Sequence, residues 1–179
     1  TGLTESAAKE AGYDVETVVA VTDDKAHYYP GAAFFITKLL ADRNTHQLLG
    51  VQVLGPGAVD KMVDIAVVGL SMGLKLEDFE NLDLAYAPPF STAIHPFVQA
   101  VYVLENKLSG AMDSMTPAQY AAGEAKGCTV IDVNPQPTIR GAGLWTCPKW
   151  TVPWRALART RSCCWCADGA SGPTSCRTG

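Results

Sequence analysis

The feature that most constrains the fold of this chain is a change of period at Gly55-Pro56-Gly57. Before it, apolar residues come in short runs rich in β-branched and aromatic side chains: residues 15–22 (VETVVAVT), 33–42 (AFFITKLLAD) and 47–54 (QLLGVQVL). Such side chains suit a pleated surface, so the runs read as three strands. The turn His27-Tyr28-Tyr29-Pro30-Gly31 separates the first two, and a short polar link, residues 42–46, joins the second to the third as a hairpin requires. Together they predict an antiparallel meander. A short helix capped by Thr4 and stopped near Gly12 precedes it.

After the break the spacing becomes helical. Val59, Met62, Val63, Ala66, Val67 and Leu70 share one face of a helix over 58–72, with Asp60, Lys61 and Asp64 largely off that face. Gly73 ends it. Residues 76–80 make a helical turn, and Tyr86-Ala87-Pro88-Pro89-Phe90 can be neither helix nor central strand. A second long helix runs from Pro96 to Lys107, with proline suited to its first turn. Strands followed by helices give an α+β fold, a three-stranded antiparallel sheet with helices on one face. Beyond the candidate linker Ser109-Gly110-Ala111, Thr116-Pro117 opens a short helix and 128–133 (CTVIDV) reads as a buried strand. That is the beginning of an α/β unit, too small to close a core.

Composition matters for what it excludes and for where it breaks. A net charge of −4 and a pI near 5.3 give no footprint for nucleic acid or an acidic membrane. No apolar run approaches the ~18 residues that span a bilayer, and the first residues show no charged-then-apolar leader pattern. A cytoplasmic location is therefore expected. All four tryptophans and five of the six cysteines fall after Gly143, where Asp168 is the one acidic residue against five basic ones. Two compositions share one chain.

The stretch from His27 through Ala100 resembles the C-terminal dimerisation domain of coenzyme A-disulfide reductases and related NADH oxidases, members of the pyridine nucleotide–disulfide oxidoreductases. The resemblance covers residues 1–108. It rests on Tyr28-Tyr29-Pro30-Gly31, Gly50-Val51-Gln52, Val59-Asp60-Lys61 and, most diagnostically, Leu84-Ala85-Tyr86-Ala87-Pro88-Pro89-Phe90-Ser91. The next stretch, MTPAQYAAGEAKGCTVIDV, resembles the opening of a rhodanese-like domain, which some coenzyme A-disulfide reductases carry at this point. The resemblance implies a parent enzyme that passes hydride from NAD(P)H to FAD and on, through a redox cysteine, to a disulfide, persulfide or oxygen acceptor. No G-x-G-x-x-G follows a strand in this sequence, so both cofactors are expected on other domains of the parent. The fragment is expected to be inactive alone and to form a homodimer, with an interface of the obligate kind above ~2,000 Å².

The same resemblance implies that tyrosines of this domain complete the partner subunit's site, at positions that match Tyr86 and Tyr28, or its neighbour Tyr29. A phenol can both donate and accept hydrogen bonds, which suits a leaving thiolate that needs stabilising without a fixed positive charge. The plainer reading is that these tyrosines cover sheet edges and turns. His95-Pro96 invites comparison with relatives in which a histidine is the acid/base. That histidine needs a carboxylate five residues on, and Ala100 stands there, so His95 reads as a helix cap or an interface residue. Cys128, inside an apolar strand, reads as core.

Three readings compete for the tail. Cys163, Cys164 and Cys166 beside Cys176 could bind zinc, since Cys163 and Cys166 have CxxC spacing, or the cysteines could pair as disulfides. The third is a shift of reading frame. Displaced so that each codon takes the last base of one residue and the first two of the next, Cys163-Cys164-Trp165-Cys166 must read Leu-Leu-Val, whichever cysteine codons were used. Trp145-Thr146 and Trp150-Thr151 must each yield aspartate. The forced residues turn the tail into the apolar strand that a rhodanese-like domain needs, and we prefer this reading, with no metal site. The domain division is then 1–108 dimerisation domain, 109–143 linker and rhodanese-like start, and 144–179 a frame-shifted, disordered tail. The competing functions are a free-standing dimerisation or scaffold module and a zinc-binding interaction protein.

Overall fold

The computed structural model describes residues 1–126 and four strand segments beyond them, Thr129–Asp132, Gly143–Leu144, Cys163–Cys166 and Ser175–Arg177. The chain forms two compact units, Thr1–Ser109 and Gly110–Gly179.

The first unit opens with helix α1 (Glu5–Glu10), where the Thr4 hydroxyl accepts the Ala7 amide at 3.2 Å. Strands β1 (Val15–Asp23), β2 (Phe34–Asp42) and β3 (Leu48–Leu54) then form an antiparallel sheet in sequence order. The β2–β3 turn is organised by the buried carboxylate of Asp42, which accepts the Thr45 amide at 3.0 Å and the Thr45 hydroxyl at 2.7 Å. These hydrogen bonds, Thr45's hydroxyl first, hold the Asp42 carboxyl below its ordinary value. Between Leu40 and Ala41 the register shifts, so that Leu39 faces Val51 while Ala41 faces Leu48. This bulge keeps Leu48 on the core side although it lies an odd number of residues from Val51.

Two long helices, α2 (Val59–Met72) and α3 (Pro96–Leu108), cover one face of this sheet. Val18, Ala20, Phe35, Leu39, Ala41, Leu48 and Val51 from the strands meet Met62, Ala66, Phe97, Ala100, Val101 and Leu104 from the helices, joined by Leu76 and Phe79 of a 3₁₀ turn (Leu76–Phe79). The short α1 seals one end of the opposite face over Leu40 and Leu49. On α2 the buried line runs through Met62, Ala66 and Gly69, and Val67, expected on the inward face, is exposed. The reason lies at Gly69. A Cβ there would sit 2.1 Å from Phe79 Cζ, so the Phe79 ring occupies the space a side chain would take and sets the rotation of the helix.

In the second unit, helix α4 (Pro117–Ala122) begins with a reciprocal cap. The Thr116 hydroxyl accepts the Gln119 amide, and the Gln119 side chain accepts the Thr116 amide. Strands β4 (Thr129–Asp132), β5 (Gly143–Leu144), β6 (Cys163–Cys166) and β7 (Ser175–Arg177) form a sheet in the order β5-β4-β6-β7. β4 pairs in parallel with both β5 and β6, and β6 pairs antiparallel with β7. The readings of Cys128, of the cysteine side chains and of the remaining tail lie outside the described residues.

Candidate functional site

Both tyrosine-bearing turns are tied to the residues around the start of α2. β1 leaves the sheet at Asp23 and β2 re-enters at Phe34, so Tyr28 sits on the connection between them. Asp24 fastens that connection, accepting the Ala33 amide through its carboxylate at 2.8 Å. The same carboxylate approaches Gly57, just before α2. One turn into α2, Lys61 donates to the carbonyl of Ala85, the residue before Tyr86, at 3.3 Å. Asp24 and Lys61 thus tie the two turns to residues four positions apart at the start of α2. Tyr28 is 73% exposed and Tyr86 52%. Neither hydroxyl makes a hydrogen bond with another described residue. Tyr29 is partly buried, its amide donating to Ala26.

Tyr86 lies within residues 81–95, which have no regular secondary structure. Two prolines and the absence of a ladder leave this segment to side-chain anchors. At its start the Tyr102 hydroxyl donates to the Glu80 carbonyl at 2.8 Å. In the middle stands Lys61. At its end the Gln99 side chain donates to the Ile94 carbonyl at 2.7 Å and the Thr92 hydroxyl at 3.0 Å. The helices thus fix an irregular loop at three points and leave Tyr86 half-exposed.

Behind the loop is a cavity of about 280 Å³, lined among others by Asp83, Tyr86, Ser91, His95 and Tyr102. The Ser91 hydroxyl is buried without a partner. His95, 7% exposed, is the N-cap of α3: its Nδ1 accepts the Phe97 amide at 3.2 Å. Burial first, and then the charge of Lys61, holds the ring down to about 4, so it is neutral at pH 7. With Nδ1 accepting, the single proton sits on Nε2. This is the capping role read from the sequence, and among the described residues no hydrogen bond joins the ring to a carboxylate.

Sequence reasoning missed Lys61, Gln99, Tyr102 and Ser91. Each acts across 5 to 24 positions of sequence or inside a cavity, and no local pattern announces such partners. Tyr102, 16 residues from Tyr86, is distinguished by packing alone. Among the described residues no group of three or more histidines, cysteines or carboxylates could hold a metal, and no helix is long and apolar enough to cross a membrane.

Residues 1–97 match the family described as pyridine nucleotide-disulphide oxidoreductase, dimerisation domain. The NAD(P)H sulfur oxidoreductase (CoA-dependent) of Pyrococcus furiosus is 39% identical over 105 residues, 59% of this chain and 24% of that protein. Among solved structures, a NAD-dependent persulfide reductase from A. fulgidus superposes with a TM-score of 0.73 at 33% identity. The match covers 81% of this chain and 26% of that one. Reduced Bacillus anthracis CoADR-RHD gives 0.74 at 30%, over 81% and 27%. The chain thus spans about a quarter of the length of these relatives.

Proposed function

Because the chain belongs to the pyridine nucleotide-disulphide oxidoreductase family through its dimerisation domain, we propose that it works as the subunit-interface portion of a FAD- and NAD(P)H-dependent enzyme reducing coenzyme A disulfide, a persulfide or a related acceptor. In this reading two chains form a cytoplasmic homodimer, and Tyr86 and Tyr28 of each reach the acceptor site of the other. The observation that carries it is the contrast between two tyrosines near one cavity. Tyr102 spends its hydroxyl on the Glu80 carbonyl. Tyr86, on a loop held at three points, is half-exposed beside the cavity and its hydroxyl has no partner among the described residues. A buried fold has no use for that arrangement, whereas a site completed from outside does. The phenol would donate to a leaving thiolate and accept from the thiol that forms.

The residues described do not fit a dinucleotide. The glycine-bearing turn before α2 is the nearest thing to a phosphate cradle. There Gly55 makes room for the Phe35 ring, 2.6 Å from where a Cβ would stand, and the Asp24 carboxylate faces Gly57. An anionic carboxylate at that position would repel a phosphate. FAD and NAD(P)H are therefore assigned to other parts of the parent. By the same reading the chain alone is inactive, residues 109–143 are the linker and rhodanese-like start, and 144–179 are a shifted reading frame. The nucleotide sequence across the Gly143 codon tests the last point.

In the full-length enzyme, Tyr86→Phe should lower turnover by roughly 100- to 10,000-fold, the range in which a positioned proton donor acts, while sedimentation still gives a dimer. Turnover equal to wild type would remove Tyr86 from the mechanism.

A further inference from the structure

The proposed role of Tyr86 requires its phenol to stand at a set place, and the backbone that carries it has few partners. Downstream the chain is stiff. Pro88 disfavours helical backbone at Ala87, whose carbonyl accepts the Phe90 amide at 2.9 Å and the Ser91 amide at 3.1 Å. Upstream, the Leu84 amide donates to the Leu82 carbonyl at 3.0 Å. Between these two turns lie Ala85 and Tyr86. Among the described residues, one hydrogen bond reaches the backbone of that pair, from the Lys61 ammonium to the Ala85 carbonyl at 3.3 Å. The other anchors of the loop act farther off. Tyr102 holds Glu80, six residues before Tyr86, and Gln99 holds Thr92 and Ile94, six and eight residues after it.

The place of Lys61 is itself fixed by packing. It leaves α2 one residue before Met62, which is buried in the core together with Ala66. The Phe79 ring beside Gly69 sets the rotation of that helix, so the core sets the direction in which the Lys61 stem departs. A nearer partner is on offer, since Asp64 stands three residues on, at a spacing where helix-surface ion pairs form. Lys61 makes no ion pair among the described residues, and its ammonium goes instead to a carbonyl 24 positions away. A charged donor holds such a carbonyl more firmly than a neutral one does.

We propose that Lys61 is a positioning residue for Tyr86. Its ammonium ties the Ala85 carbonyl to the first turn of α2 and so fixes the backbone one residue before the phenol, while the Pro88-Pro89 turn fixes it from the other side. The packed core of one subunit thereby sets how Tyr86 is aimed at the acceptor of the other. Lys61 acts through Tyr86 and takes no part in the chemistry itself. Without the ammonium the sheet and helices keep their fold, and the Ala85-Tyr86 segment alone is released. A small displacement there is enough to lose a reactive alignment. The functional meaning rests on the reading of Tyr86 given above; the tether itself does not.

The tether is tested in the 179-residue chain by backbone ¹⁵N order parameters at Ala85 and Tyr86. In Lys61→Met, which keeps the stem and loses the ammonium, they should fall from about 0.85 to below about 0.6, with values in the β1–β3 sheet unchanged. Lys61→Arg should restore them. Wild-type values already below about 0.6, or values that Lys61→Met leaves unchanged, would overturn the tether. The positioning role is tested in the full-length enzyme. Lys61→Met should lower kcat about tenfold, the lower end of what a hydrogen bond to a charged group is worth. Sedimentation should still give a dimer, and Lys61→Arg should recover most of the rate. In a Tyr86→Phe background the same substitution should lower kcat no further, because a residue that acts through the phenol has nothing left to position. An equal loss in both backgrounds, or no loss in wild type, would overturn the positioning role. A Tyr86→Phe enzyme as active as wild type would instead remove the reading of Tyr86, and the order parameters would still decide the tether.

Discussion

Three hydroxyls are buried without a partner among the described residues, Thr22, Thr37 and Ser91, and their settings differ. Ser91 borders the cavity behind Tyr86, where an incoming polar group could satisfy it. Thr37 has no such prospect. It stands in the centre of β2, fully buried, opposite Ala20 on one neighbour and Val53 on the other. An unpaired hydroxyl in an apolar setting loses its water bonds and gains nothing in return. Thr37→Val, which keeps the β-branched shape, should therefore raise stability by about 1 kcal/mol in denaturant unfolding. A loss of stability would show that the hydroxyl has a use. The tyrosines obey the same accounting in reverse. The half-buried phenol of Tyr102 is paired, and the exposed one of Tyr86 is not, which is why the second is the candidate for work outside the domain.

Helix α3 carries two titrating groups with opposite effects on stability. His95 caps its N-terminus with a neutral ring whose folded value, about 4, lies below the ordinary 6.5. Between these values the unfolded chain takes up a proton that the folded chain refuses, so its contribution falls as pH drops from 6.5 toward 4. Glu105 lies the other way, raised from 4.5 to about 7. Its contribution is complete below 4.5 and is lost as pH rises to 7. Across pH 4.5–6.5 the two slopes oppose each other. Glu105→Gln removes the falling one, so its unfolding free energy should climb with pH over this window more steeply than that of wild type. Parallel profiles from urea titrations at pH 4.5, 5.5 and 6.5 would contradict the assignment. The element also explains why His95 caps rather than catalyses. A helix N-terminus disfavours positive charge, and Lys61 adds to that.

At the scale of the molecule, the first unit buries one face of its sheet and leaves much apolar surface outside. Val19, Phe34, Ile36 and Leu54 are exposed on the sheet, and Val67, Val68 and Met72 on α2. Seven large apolar side chains in two groups exceed the scatter normal on a monomer and suit surfaces that are covered in a larger assembly. The match to a dimerisation domain makes self-association the expected use of part of that surface. Sedimentation equilibrium of the chain at micromolar concentration should give a dimer that dissociates on dilution. A folded species that stays at 19.0 kDa throughout would remove the homodimer from the proposal.

The elements were legible because their causes are local. β-branched runs, Gly55-Pro56-Gly57 and a proline at the start of α3 set the strands, the break and the helix within a few residues of where the structure has them. The tyrosine turns were legible for a different reason, a motif shared with a family, and not because anything local marks a phenol as functional. Contacts that join distant parts of the chain were not legible. The rotation of α2 follows from the Phe79 ring lying where Gly69 has no side chain, ten residues away. The grip on the Tyr86 loop comes from Lys61, Gln99 and Tyr102, across 5 to 24 positions. Local pattern records which backbone a residue prefers. Which side chains meet is fixed when the helices pack against the sheet, because only then do burial and charge act between residues that sequence keeps apart.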